Sequence, residues 1–361
     1  MTDFNGQSPL GAAPAQQPPQ RQYLQFHAGG SEYFRIWIVN LLLTIITFGI
    51  YSAWAKVRRN QYFYASTALA GSSFEYHGNP VAILKGRVIA GVVVGLYAFA
   101  GNISPVFALV MAVVMAAALP WFIWRSLQFQ MYNSAYRGIR FRFVGQLRDA
   151  YVNVLLRPLL NIVTFGLATP YIHQRLKAWQ FNEGRFGGAR FSLLAGAGAF
   201  YRLYAIFFVA SIAMIVAFFV FFASKFGAVA RNANPLETIG QVGSGLVGMA
   251  LFYVILLSLA PLFLALVQNL VWNNACLDQH RFRSEVMWGR MLFIIVTNYI
   301  GVVCTLGLFL PFAQVRLMRY RIESLSVMPQ GSFDDIVADA GASVGATGEG
   351  VADFMDLDFS L

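Results

Sequence analysis

The chain of 361 residues is strongly apolar: hydrophobic residues make up 58% of it, charged residues only 12%, and its mean hydropathy is +0.58. A soluble chain of this length carries about twice that charged fraction, so the composition excludes an ordinary soluble globular protein. The net charge of +10 is divided, because 26 basic and 8 acidic residues precede Glu323, whereas the chain from there onward has 8 acidic residues and no basic one. Since the basic residues flank apolar segments, they indicate anchoring in a membrane, and we expect no nucleic-acid binding.

The first predicted elements follow an N-terminal segment, residues 1–22, that is rich in Pro, Gln, Ala and Gly and has no signal-peptide core, so we predict that it is disordered. Tyr23–His27 alternates like a β-strand. An apolar helix is predicted from Glu32 to about Thr47, a basic helix over Ser52–Ser66, and a second strand-like piece over Ser72–Gly78.

A Thr-x-Gly step joins the two predicted helices, and it occurs three times at the end of an apolar run. A shift of 117 residues aligns the first unit with the second, and a shift of 141 aligns the second with the third; a longer loop at about Ser224–Gly245 accounts for the difference. Such recurrence indicates internal repeats. We predict unit 1 at 23–142, unit 2 at 143–283 and a truncated unit 3 at 284–327.

Four further apolar runs contain no charged residue, and most have the ~20 residues that cross a bilayer as a helix. They are Val88–Gly101, Ser104–Trp124, Leu203–Ala223 and Leu246–Leu270. They form two predicted transmembrane hairpins, one after each of the first two Thr-x-Gly units.

The arginines and lysines favour one topology. If the Thr-x-Gly segments are re-entrant and leave the membrane by the face they entered, 23 basic residues lie on the cytoplasmic side, Lys225 and Arg231 lie on the far side, and Arg157 lies at depth. If all seven apolar segments span, the division is only 10 against 15. The positive-inside rule favours four spanning helices and three re-entrant elements, with both termini cytoplasmic; seven spans is the alternative.

Three polar residues occupy equal positions, seven residues before each threonine, inside apolar runs: Asn40, Arg157 and Asn298. Polar groups inside a membrane are costly, which makes these residues candidates for a ligand site between the units. Alternatively, they are hydrogen-bonding groups between helices, with Arg157 reaching toward the membrane surface.

A second set lies eleven residues after each threonine: Arg58, Arg175 and Arg316. With neighbours such as Lys56 and Arg59 they form basic helix faces at the membrane edge, which suit anionic lipid headgroups. The alternative is that they are only topological anchors.

Other chemistry is not indicated. The four histidines and two cysteines have no metal-ligand spacing, and no nucleophile, phosphate-loop or dinucleotide motif occurs. We therefore expect no metal, no cofactor and no enzymatic activity. The tail, residues 328–361, is acidic and predicted to be disordered, and the alternation over Asp353–Phe359 is typical of a segment that binds a protein partner or covers the basic face of the same chain.

Several segments of the first unit resemble the YjgN-like family of bacterial inner-membrane proteins, built around a domain of unknown function. The resemblance covers about residues 23–325, and its most specific segments are Glu32–Asn40, Thr47–Tyr51, Trp54–Arg58 and Phe74–Gly78. It implies an integral inner-membrane location and no assigned reaction or site residue.

From the residues and this resemblance we predict an all-α polytopic membrane protein with short cytoplasmic β-strand pieces. Two functions follow. The first is a transporter or channel-like protein with a polar site at the membrane midplane between repeats, as in other repeat-built transporters. The alternative is a non-catalytic membrane module that binds anionic lipid headgroups or partner proteins at its cytoplasmic face.

Overall fold

The computed structural model describes residues 21–226 and 235–330. Within these ranges, pairs of helices alternate with β-hairpins along the chain. The helices are α1 (Gly30–Ile46), α2 (Ser52–Ala65), α3 (Pro80–Ile103), α4 (Pro105–Tyr132), α5 (Leu147–Ala150), a π-helical segment (Tyr151–Leu156) continuing into α6 (Arg157–Val163), α7 (Thr169–Asn182), α8 (Ala197–Phe226), α9 (Pro235–Asn273), α10 (Trp288–Cys304) and α11 (Leu310–Glu323).

The β-strands are short, two to five residues each. They are β1 (Gln22–Tyr23), β2 (Gln25–Phe26), β3 (Thr67–Leu69), β4 (Ser72–Tyr76), β5 (Ser134–Tyr136), β6 (Ile139–Phe143), β7 (Gly184–Phe186), β8 (Ala189–Leu193), β9 (Ala275–Leu277), β10 (His280–Ser284) and β11 (Leu325–Met328).

All eleven strands form one antiparallel sheet that curves into a barrel. From β3 to β11 each strand pairs with the next along the chain, β1 pairs with β11, and β2 pairs with β3. Leu24, between β1 and β2, donates its backbone N–H to the carbonyl of Leu325 (3.1 Å). The N-terminal segment, with β1 and β2, therefore bridges β11 and β3. The barrel is left with almost no open edge.

Tight turns close the four β-hairpins at one end of the barrel. In two of them both turn residues have positive φ: 47° and 77° at Ala70 and Gly71, and 50° and 77° at Arg137 and Gly138. This is the type I′ geometry, whose twist matches that of the paired strands. Since the turns occupy one end, the helix pairs leave and re-enter the barrel at the other end.

Apolar side chains fill the barrel. Each strand from β3 to β11 contributes at least one side chain to a single cluster. Its buried members are Leu69, Tyr136, Phe186, Leu277 and Val327, and the phenylalanines packed against them are Phe74, Phe141, Phe191 and Phe282. The barrel axis is therefore a packed core, not a pore.

Five helical hairpins stand on the barrel and pack side by side in a closed ring, in which α11 returns to contact α1. We call α1–α2, α5–α7 (with its π-helical segment) and α10–α11 the short hairpins, and α3–α4 and α8–α9 the long hairpins. Small apolar clusters fix the ring where it meets the barrel; Phe200 of α8, for example, is fully buried against Leu193 and Val271.

The predicted all-α fold class is wrong, because the strand-like pieces form a continuous barrel. Strand-like pieces were recognised in the sequence, but each is too short to predict a sheet by itself. The strands are stabilised by pairing with residues far away in sequence, such as Glu75 with Ala135 and Ser192 with Cys276. The residue pattern within one segment cannot predict pairing between strands that are far apart in sequence.

Among the described residues, three helical segments are long and apolar enough to cross a membrane: Pro80–Ile103, Pro105–Tyr132 and Ala197–Val220. Sequence reasoning predicted four, and the fourth run, Leu246–Leu270, lies in α9, many of whose side chains are not described. Of the loop predicted at Ser224–Gly245, the residues up to Phe226 lie in α8 and those from Pro235 onward lie in α9, whereas residues 227–234 are outside the described residues.

The predicted helices and the predicted disorder can be located as well. The helices expected over 32–47 and 52–66 agree with α1 and α2 to within two residues. The disorder predicted over 1–22 and 328–361 falls mostly outside the described residues, but Gln22 lies in β1 and Met328 lies in β11.

Candidate functional site

The turn in each short hairpin has the same backbone. The residue after threonine has φ of 50°, 49° and 50° at Phe48, Phe165 and Leu306, and the next has φ of 90°, 86° and 95° at Gly49, Gly166 and Gly307. Two successive positive φ angles favour glycine at the second position and strain the first. The strained side chains are 98%, 95% and 95% exposed, so a large apolar group stands at each tip without protein contacts.

The threonine joins the two helices of the hairpin. The hydroxyl of Thr47 donates to the carbonyl of Leu43 (2.7 Å) and accepts the backbone N–H of Tyr51 (2.9 Å). It thus bonds to the residue that precedes the second helix while remaining bonded to the end of the first. The same pair of bonds measures 2.7 and 3.1 Å at Thr164, and 2.8 and 2.9 Å at Thr305.

The first predicted site set lies within the separate short hairpins. Asn298 is buried, and its Nδ2 donates to the carbonyl of Ala313 (3.1 Å). Arg157 donates to the side-chain oxygen of Asn153, one helical turn earlier in the π-helical segment. Asn40 is buried, and its Oδ1 has no hydrogen-bond partner in the described part of the chain.

Within the described ranges, no hydrogen bond or ion pair joins Asn40, Arg157 and Asn298 to one another. Their convergence on one ligand stays a prediction.

The second set, Arg58, Arg175 and Arg316, lies exposed on the second helices of the short hairpins. In the third hairpin the two predicted sets meet, because Arg316 donates to the hydroxyl of Thr297 (2.8 Å) and lies 3.5 Å from Oδ1 of Asn298. Arg175 lies over the ring of Tyr171, 5.3 Å from its centroid.

A cluster of cations between α2 and α3 was missed by sequence reasoning. Arg87 of α3 donates to the hydroxyl of Ser52 at the start of α2. Lys56, one turn further along α2, has its pKa lowered, first by burial and then by repulsion from Arg87 and Arg59. Among the described residues, no carboxylate forms an ion pair with these three cations. We call Lys56, Arg59 and Arg87 the cation cluster.

The other short hairpins place neutral groups at the same position. A shift of 117 carries Lys56 to His173 and Arg87 to Tyr204, and His173 Nδ1 lies 3.1 Å from the hydroxyl of Tyr204. A shift of 141 carries His173 to Gln314, whose Oε1 accepts the hydroxyl of Tyr33 (2.9 Å). Each position faces the next helix of the ring, and among the described residues of the three short hairpins like charges meet at this position in the first. The sequence did contain a sign of the cation cluster. Arg87 lies at the start of an apolar run, whereas the equivalent position in the second unit is Tyr204.

Comparisons with known proteins agree on one family. Residues 21–354 match the model of a family described as bacterial protein of unknown function (DUF898). The chain is 25% identical to the inner membrane protein YjgN of Salmonella typhimurium (strain LT2) over 87% of this chain and 89% of that protein. It is 29% identical to the inner membrane protein YjgN of Escherichia coli (strain K12) over 39% of this chain and 36% of that protein.

No solved structure matches the chain. The family model covers most of the chain, and the relatives carry a common name. The chain therefore belongs to the YjgN-like family of bacterial inner-membrane proteins of unknown function.

Proposed function

We propose that this protein is a non-catalytic module of the inner membrane that binds anionic lipid headgroups at its cytoplasmic face. In this proposal the long hairpins span the bilayer, the short hairpins are re-entrant, and the barrel and both termini lie in the cytoplasm. The observation that carries it is the cation cluster, which has no carboxylate partner among the described residues and lies where the apolar run of α3 begins.

Helix lengths support the re-entrant geometry. Arg87 lies seven residues after Pro80, so the apolar part of α3 begins ~10 Å from the barrel end of the ring. The 17 residues of α1 reach ~25 Å from the same end. Its tip then enters the hydrocarbon by ~15 Å, about half of the ~30 Å core. The 20 residues from Pro105 to Trp124 in α4 cover ~30 Å, the whole core.

The turns are suited to lipid, because their backbone groups are paired. Gly49 donates to the carbonyl of Thr44 (2.8 Å), and Ile50 donates to that of Thr47 (3.1 Å). An irregular turn in hydrocarbon is otherwise very costly, since each unpaired backbone group costs several kcal/mol, on the order of 2–7. With the polar groups paired and Phe48 exposed, the tip presents an apolar surface to the acyl chains.

The cation cluster suits a phosphodiester. Two guanidinium groups offer paired N–H donors to phosphate oxygens, and Lys56 adds a compact charge. Burial, and then repulsion from Arg87 and Arg59, lowers the pKa of Lys56, and a bound anion would offset that repulsion. A polybasic surface gains about 1 kcal/mol per residue near an anionic leaflet.

A second candidate function, transport through a polar site in the ring, is favoured by the unpaired Oδ1 of Asn40. The packed core of the barrel argues against a conduit along its axis, so a transported solute would have to leave between the helices. For this reason we place lipid binding first.

The test uses the full chain purified in neutral detergent. We expect phosphatidylglycerol to raise its unfolding temperature more than phosphatidylcholine does. A variant with Lys56, Arg59 and Arg87 changed to Gln should lose this difference. A control with Arg35, Arg148 and Arg290 changed to Gln removes the same charge from exposed helix positions and should keep it.

An equal response of the unchanged protein to both lipids would reject the proposal. So would an undiminished preference for phosphatidylglycerol in the cluster variant.

A further inference from the structure

Arginines form a row on the outer surface of the barrel. Their neighbours Phe141, Phe186 and Phe191 point inward, so the arginines between them point outward. The strand register places Arg142 of β6 opposite Arg185 of β7, and Arg185 opposite Arg190 of β8. We call these three residues the arginine row.

Like charges directly opposite one another across a sheet are destabilising. Arg142 and Arg190 are exposed, and Arg185 is half-buried. In the described ranges, none of the three guanidinium groups forms an ion pair; the nearby carboxylate of Asp278 instead accepts the backbone N–H of Arg190 (3.0 Å). A repulsive row of this kind is explained if an acidic group binds to it.

The acidic segment of the chain begins on the same sheet, three strands from the nearest arginine of the row. β11 pairs with β10, with Met328 opposite Arg281. Pro329 is buried, and the backbone N–H of Gln330 donates to Nδ1 of His280 (3.0 Å). The following residues, 331–361, contain seven Asp or Glu residues and no Lys or Arg.

The distances permit contact within one chain. Three strand spacings separate β11 from β8, or ~14 Å. Five extended residues from 331 to Asp335 span ~17 Å. Asp334 and Asp335 can therefore reach Arg190, and Asp339 can reach the arginines beyond it. A tether this short gives an effective concentration in about the millimolar range, which favours the tail of the same chain over a weak partner in solution.

We propose that the acidic segment 331–361 docks on the arginine row of its own chain and neutralises it. The individual surface ion pairs are weak and salt-sensitive. The docked tail is therefore released at high salt, or when an acidic partner of higher affinity displaces it. This inference is independent of lipid binding at the cation cluster, because the arginine row lies on the barrel and not on the ring.

The test measures the distance from the tail to the row in the full chain. Spin labels are placed at Val144→Cys, which is exposed two residues from Arg142, and at Ser343→Cys, with Cys276→Ala and Cys304→Ser removing the native thiols. Pulsed dipolar spectroscopy at low salt should give a short, narrow distance distribution, and high salt should broaden it.

Two variants should broaden the distribution at low salt as well. The first replaces Arg142, Arg185 and Arg190 with Gln. The second replaces Asp334, Asp335 and Asp339 with Asn, which leaves the barrel sequence unchanged and so covers the case in which the arginine variant misfolds. The control with Arg35, Arg148 and Arg290 changed to Gln should remain narrow.

A broad distribution in the unchanged protein at low salt would overturn the proposal. A narrow one that neither variant alters would do the same, since the tail would then be bound elsewhere.

Discussion

The short and long hairpins differ in how they end, although both stand on the same barrel and pack in the same ring. The long hairpin α3–α4 turns at Ser104, whose side chain caps α4 by accepting the N–H of Phe107 (3.1 Å), a polar turn suited to water. The short hairpins turn at an apolar residue that is almost fully exposed, with the threonine hydroxyl bonded inward. Length and turn chemistry are both consistent with the proposal that the long hairpins cross the membrane and the short hairpins stop within it.

The largest expected effect comes from a charge at the tip of a short hairpin. Phe165→Asp should reduce membrane insertion, because an aspartate near the centre of the bilayer costs about 2.5–3.5 kcal/mol. Ile103→Asp, at the turn of a long hairpin, should have little effect if that turn reaches the far surface, as proposed. The measurement is the fraction of each variant recovered in the membrane. Equal tolerance of both changes would mean that the short hairpins also cross.

The next largest effect is expected for the two asparagines that occupy equivalent positions in the first and third short hairpins. Asn298→Leu should destabilise the protein by about 1–3 kcal/mol, because the carbonyl of Ala313 loses its donor and Arg316 loses a neighbour. Asn40→Leu should be neutral or stabilising, because the Oδ1 it removes has no partner among the described residues. Thermal unfolding in detergent measures both changes. A large loss for Asn40→Leu would point to a bound polar group and favour the transport candidate.

A smaller effect is expected at the turn glycines. Gly307→Ala places a Cβ at φ of +95° and should cost about 1–2 kcal/mol. Gly86→Ala, in the interior of α3 with open space around it, should instead stabilise by about 0.5–1 kcal/mol. Opposite signs in unfolding temperature are the expected result. If Gly307→Ala is harmless, then the left-handed turn is not required.

The smallest effect is a dependence on pH. Burial, and then Lys177, lowers the pKa of His173 below its usual value of 6.5. Its contribution to stability is therefore fully present above about pH 6.5 and is lost as the pH falls through the folded-state pKa, because the unfolded chain takes up the proton first. His173→Gln copies the residue found at Gln314 and should reduce the loss of unfolding temperature between about pH 7.5 and about pH 5. An unchanged pH profile would contradict this assignment.

The sequence correctly predicted those features, such as helix bounds and turns, that depend on residues close together in the chain. The bounds of α1 and α2 followed from apolar periodicity and from the Thr-x-Gly step, whose glycine and threonine act within one turn. The barrel was not predictable in the same way, because pairs such as Arg142 with Arg185 join residues from separate β-hairpins.

The residues of the candidate site divide in the same way, into those found from local spacing and those that depend on packing between helices. Arg58, Arg175 and Arg316 were found because their spacing from threonine is constant, whereas Arg87 was missed because its position near Lys56 depends on how α3 packs against α2.

The bridge formed by Gln22–Phe26 has a consequence for biosynthesis. Gln22 pairs with Val327, and Phe26 pairs with Thr67. The ribosome must therefore deliver nearly the entire polypeptide before β1 finds its partner β11, and contacts of such long sequence separation form late. Until then, each newly formed hairpin leaves an unpaired strand edge, a nascent surface open to chaperones and proteases. We therefore expect barrel closure, the pairing of β1 with β11, to be the last step of folding.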